Sequence, residues 1–94
     1  MIISILTYVK PIQEVEKYLP LHNSYLDNYY NEKKFIASGR RNPRTGGVIL
    51  MDATLDEAKK ISKQDPFLIN QIADYKYIEF LPSKCAPDFT NLLK

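Results

Sequence analysis

The chain carries a single histidine, His22, within YLPLHNSYLD (residues 18–27). An imidazole exchanges protons near neutral pH, so His22 is the first residue to weigh as a general base or acid. Taken alone, a histidine on an apolar helix stripe is more often a packed, hydrogen-bonded core residue than a catalyst. Asp65, which precedes Pro66, is the second candidate. N-capping alone explains an Asp at that position, but a carboxylate there that also reached the imidazole would set its tautomer and stabilise the protonated ring. Spacing along the chain does not show whether the two meet.

The third cluster is ASGRRNPRTGGV, residues 37–48. Arg40, Arg41 and Arg44 offer guanidinium groups to a carboxylate, phenolate or phosphate. Gly39, Gly46 and Gly47 let backbone come close to a ligand. A solvated hairpin tip explains the same residues, and the two readings stand level, because so many arginines exceed what a turn requires. Ser38, with no base assigned to it, is a weak candidate nucleophile. Tyr8, Tyr25, Tyr29 and Tyr75 read as core or pocket walls whose phenols can hydrogen-bond.

These residues need a scaffold, and composition limits it. Ninety-four residues, 45% apolar and 26% charged, describe one globular domain (1–94) with a short tail from about residue 86. A net charge of +2 is too small for a nucleic-acid footprint, so no nucleic-acid partner is expected. The lone Cys85 rules out an intrachain disulfide and a Cys-based metal site, which fits a cytoplasmic protein. With one His and no EF-hand pattern, no metal is expected, and no nucleotide fingerprint implies a cofactor. The apolar start MIISILTYV ends at Lys10 and Pro11, far short of the ~18 residues of a spanning helix, so it reads as a strand and no membrane role is expected.

Residues 2–9 place Ile2, Leu6 and Tyr8 on one face and Ile3, Ile5 and Val9 on the other, the pattern of a central strand covered on both sides. From Pro11, Ile12, Val15, Leu19, His22 and Leu26 recur at helical spacing, with a kink or break expected at Pro20 because proline lacks an amide proton. Strands are predicted over 35–41 and 47–53, joined by NPRTG as a hairpin. TLDE (54–57) has the form of a capping box before a helix stripe of Leu55, Ala58 and Ile61. Asp65-Pro66 starts a further helix, and 73–85 closes the set as a strand. The order β, α, β, β, α, β predicts an α+β, ferredoxin-like subunit: an antiparallel sheet with helices on one face. The strands nevertheless read apolar on both faces, so the open face is expected to meet a second copy in a homodimer.

Five segments, LTYVKP, LPLHNSYLD, FIASGRRNPRTGGVIL, QDPF and ADYKYIEFLPSKCAP, together resemble the YciI-like (YCII-related) family over about residues 2–87. The resemblance implies a ferredoxin-like subunit of a dimeric α+β barrel with a His and an Asp lining a pocket in each subunit. By matching motifs these are His22 and Asp65, with the family's Ser-Gly at Ser38 and Gly39, and related branches are linked to small aromatic or chlorinated substrates. Arg40 and Arg41 depart from the family pattern and make the pocket mouth more basic.

The leading expectation is a cofactor-independent enzyme of lyase or hydrolase type acting on a small anionic or phenolic molecule. His22 transfers the proton, Asp65 orients it, and Arg40, Arg41 or Arg44 hold substrate charge. The alternative is a non-catalytic metabolite-binding or regulatory dimer using the same pocket. A third possibility confines His22 and Asp65 to packing and capping.

Overall fold

The computed structural model describes residues 1–93. In chain order the elements are β1 (Ile2–Tyr8), α1 (Ile12–Asn31), β2 (Phe35–Arg40), β3 (Gly46–Met51), α2 (Leu55–Ser62), α3 (Pro66–Ile69) and β4 (Ala73–Glu79), followed by a 3-10 turn over Pro87–Leu92. The strands form one sheet in the order β2-β3-β1-β4, with every neighbouring pair antiparallel. This is the ferredoxin-like α+β arrangement that the strand and helix order predicts.

Alternation along the strands decides which side chains can meet the helices. Ile2, Ser4 and Leu6 of β1 are buried, as are Ile49 and Met51 of β3. The register sets Ile2 opposite Met51 and Ser4 opposite Ile49, so these side chains share the helix-covered face. On β4, Tyr75 lies opposite Leu6 and Tyr77 opposite Ser4 on that same face. Val15, Tyr25 and Tyr29 from α1 and Phe67 from α3 close the core over them. The other face carries Ile3, Ile5, Val48 and Ile78, of which Val48 and Ile78 are exposed.

The break expected at Pro20 does not occur. α1 runs continuously through Pro20, with Pro11 at its N-terminal boundary. Pro20 removes a single amide donor, and the carbonyl that loses it belongs to the exposed Glu16, within reach of water. Buried Val15, His22, Tyr25 and Tyr29 hold the helix against the core on both sides of the proline, so packing outweighs the local defect.

β4 is also shorter than predicted. Its pairing with β1 ends at Glu79, since Ile2 is the first residue of β1, and only the Phe80 amide bond to the Met1 carbonyl extends it. The segment beyond keeps its apolar residues without a partner strand. The capping box forms as expected: the Thr54 hydroxyl accepts from the Glu57 amide at 3.2 Å, and the Glu57 carboxylate accepts from the Thr54 amide at 3.1 Å. Among the described residues, no helix is long and apolar enough to cross a membrane.

Candidate active site

A cavity of about 280 Å³ lies between α1, the β2–β3 hairpin and the start of α3. Leu6, Leu19, Leu26, Ile49, Tyr8 and Phe67 give it apolar walls, and His22, Asn23, Ser38 and Arg40 supply its polar groups. Packing brings His22 and Asp65 together: Nδ1 of His22 lies 2.8 Å from Oδ1 of Asp65. Each helix contributes for a local reason. His22 falls on the buried stripe of α1, and Asp65 is held at the N-cap of α3, where the same Oδ1 accepts from the Phe67 amide at 2.9 Å.

The Tyr75 hydroxyl donates to the second carboxylate oxygen, Oδ2. Asp65 is completely buried. Such a carboxyl is tolerable when hydrogen bonds engage both oxygens, and here three donors converge on it. Burial, and then the neighbouring Asp65 charge, push the Tyr75 phenol far above its ordinary value, so Tyr75 remains a donor. A carboxylate can only accept. The hydrogen-bond network therefore assigns the proton of the neutral imidazole to Nδ1 and leaves a lone pair on Nε2. Nε2 has no protein partner among the described residues. Phe67 stacks on the imidazole, with centroids 4.0 Å apart and planes within 4°, so the ring is fixed in orientation as well as in tautomer.

The arginines separate by strand alternation. Arg40 pairs with Gly47, itself opposite Leu6, so Arg40 belongs to the helix-facing side and lines the cavity. Arg41, one residue on, turns the other way, and its guanidinium donates to Thr7 Oγ1 at 3.4 Å. Arg44 lies 3.5 Å from Glu16 of α1. Neither Arg41 nor Arg44 lines the cavity, so the expected trio reduces to Arg40 there. Ser38 and Gly39 both line it, and the Ser38 hydroxyl is 2.6 Å from that of Tyr30.

The sequence offers no sign of Asn23 and leaves the partner of Tyr75 open. Asn23 follows His22, and the helical turn that buries one sets the other at the cavity wall. Tyr75 is expected as a wall residue with a phenol free to hydrogen-bond, and only the register of β4 against β1 brings its hydroxyl to Asp65. Among the described residues, no group of three or more His, Cys, Asp or Glu side chains could hold a metal ion.

Comparison with known proteins is consistent with this architecture. The YCII-related domain matches residues 1–81. The chain belongs to the YCII-related family. No curated protein sequence matches this YCII-related chain. Among solved structures it is similar to 5-chloro-2-hydroxyhydroquinone dehydrochlorinase from Burkholderia phenoliruptrix AC1100, in complex with 2,5-dihydroxybenzoquinone. The TM-score is 0.70 at 19% identity, covering 85% of the YCII-related chain and 93% of the other. At that identity the likeness establishes a shared fold.

Proposed function

We propose that this protein is a cofactor-independent enzyme in which His22 transfers a proton to or from a small anionic or phenolic substrate held in the cavity. The carrying observation is the His22–Asp65 contact, which engages Nδ1 and leaves Nε2 unpartnered on a ring that lines the cavity. Nε2 takes a proton from a substrate hydroxyl or carbon, and Asp65 stabilises the imidazolium that forms. In an elimination the leaving group departs with its bonding pair as the proton is taken. The net loss is one proton and one anion, and the proton then passes to water. The Arg40 guanidinium has no hydrogen-bond or ion-pair partner among the described residues and offers its charge to a phenolate or carboxylate. The Ser38 hydroxyl and Gly39 backbone supply polar contacts, and Tyr8 and Phe67 suit the faces of a flat ring.

The name of the dehydrochlorinase supports a phenolic substrate class and an elimination. The same reading includes a homodimer formed through the exposed sheet face, as in a dimeric α+β barrel.

The test offers 5-chloro-2-hydroxyhydroquinone and related chlorinated hydroquinones to the purified protein and measures chloride release. His22→Ala is expected to lower the rate by at least about 100-fold, the usual scale of a lost proton-transfer group. Asp65→Ala is expected to lower it by about tenfold or more, by releasing the tautomer. Wild-type rates in both variants would overturn the mechanism. Saturable binding of these probes without chloride release would favour the metabolite-binding alternative.

A further inference from the structure

We infer that Tyr75 is a positioning residue for the His22–Asp65 pair, acting through Oδ2 of Asp65. The inference rests on the proton-transfer reading of His22 for its catalytic consequence, but its structural content is independent of turnover. Oδ1 of Asp65 serves two donors, His22 Nδ1 and the Phe67 amide. A carboxylate held at one oxygen can still turn about its Cβ–Cγ bond, which would pull Oδ1 out of line with Nδ1. The Tyr75 hydroxyl occupies Oδ2 and blocks that rotation.

Tyr75 also satisfies the second oxygen of a carboxyl that is closed off from solvent. Asp65 is 0% exposed, so no water replaces a missing donor. Without the phenol, Oδ2 would be an unpaired, buried, charged oxygen, among the costliest groups a protein interior can hold. The carboxyl would then rotate toward another donor, which weakens the Nδ1–H···Oδ1 bond. The available alternative is the Tyr25 hydroxyl, which is buried beside Tyr75 without a geometrically adequate hydrogen bond of its own. Tyr75 itself is held in place by β4, where it pairs with Leu6 of the central strand, and its ring leans on Tyr77 at 5.9 Å. The phenol is therefore set by the sheet, the carboxylate by α3 and the imidazole by α1. Three elements converge on one proton-transfer group.

His22 is the only histidine in the chain, so one pair of imidazole ¹⁵N resonances reports on it without ambiguity. At about pH 8.5, where an unperturbed imidazole is neutral, the full-length protein is expected to show widely separated Nδ1 and Nε2 shifts of the Nδ1–H tautomer. In Tyr75→Phe the two resonances are expected to converge, as the ring samples both tautomers, whereas Tyr25→Phe keeps them separate. Unchanged shifts in a folded Tyr75→Phe protein would overturn the inference. Should that variant fail to fold, 3-fluorotyrosine at position 75 keeps the shape and strengthens the donor. It is then expected to move the Nδ1–H proton upfield by drawing charge from the carboxylate, and an unmoved resonance would overturn the inference equally. Chloride release from the same chlorinated hydroquinone separates the two levels. A drop of about tenfold in kcat with KM held within about twofold is the expected signature of lost transition-state positioning. Converged resonances with undiminished turnover would leave Tyr75 as the residue that sets the tautomer and would instead defeat the proton-transfer role of His22.

Discussion

Asp65 performs two tasks with one side chain, capping α3 and engaging His22, and the tasks can be separated chemically. Asp65→Asn keeps a carbonyl oxygen able to accept from the Phe67 amide, together with nearly the original volume. Asp65→Ala removes the cap and leaves the imidazole and the Tyr75 hydroxyl without their acceptor. From a lost cap of about 1 kcal/mol and buried donors left unpaired, the alanine variant is expected to lose about 2–4 kcal/mol of stability in urea denaturation. The asparagine variant is expected to lose less than half of that. Equal losses would mean that the retained cap oxygen and volume contribute little and that the loss comes from the carboxylate charge. Activity should not follow stability here, because an amide cannot act as the ionised acceptor that the Nδ1–H tautomer requires.

At the scale of elements, the start of α2 is joined by charge to the connection between α1 and β2, in addition to its own capping. Lys34 lies 2.9 Å from Glu57, the capping-box residue of α2, on a partly exposed surface. The Lys34 ammonium, and then the Thr54 amide, hold the Glu57 carboxyl down to about 2 from its ordinary 4.5. A carboxyl whose folded pKa is depressed contributes stability that is fully present above the unfolded value and disappears as pH falls through the folded one. The stabilisation is therefore expected to fade between about pH 4.5 and pH 2, with solvent screening keeping it to a surface pair's usual magnitude of less than about 1 kcal/mol. Comparing the melting temperatures of wild type and Glu57→Gln at pH 6 and pH 2.5 tests this. The gap between the two proteins should shrink at the lower pH, and a gap that stayed constant would contradict it. The continuous α1 belongs to this scale too. A single proline predicts a break locally, yet the stripe on both sides of Pro20 is anchored in one core.

For the whole molecule, the sheet is covered by helices on one face while Ile3, Ile5, Val48 and Ile78 form neighbours across three strands on the other. A face of this kind is expected to pair with its copy. Light scattering of the full chain is expected to give the mass of two chains. Ile78→Glu, at a position 50% exposed in the isolated subunit, is expected to shift the mass toward one chain without unfolding it. A monomeric wild type at micromolar concentration would overturn the dimer.

The sequence alone determined those features that depend on local chemistry. Thr54 and Glu57 had to cap a helix, Asp65-Pro66 had to start one, and the strand faces of residues 2–9 followed from alternation. It also supplied His22, Asp65, Ser38, Gly39 and Arg40 as residues to watch, and the family motifs picked out the first four. Tertiary structure decided what those residues touch. Whether an imidazole on α1 meets a carboxylate on α3 depends on how two helices pack, which no pattern along the chain records. Which arginine lines the cavity depends on the side from which each strand residue emerges, and that separated Arg40 from Arg41. Tyr75 is the clearest case. Its residue type suggested a wall with a phenol able to hydrogen-bond, and only the pairing of β4 with β1, ten residues beyond Asp65, delivered its hydroxyl to the oxygen that the histidine does not use.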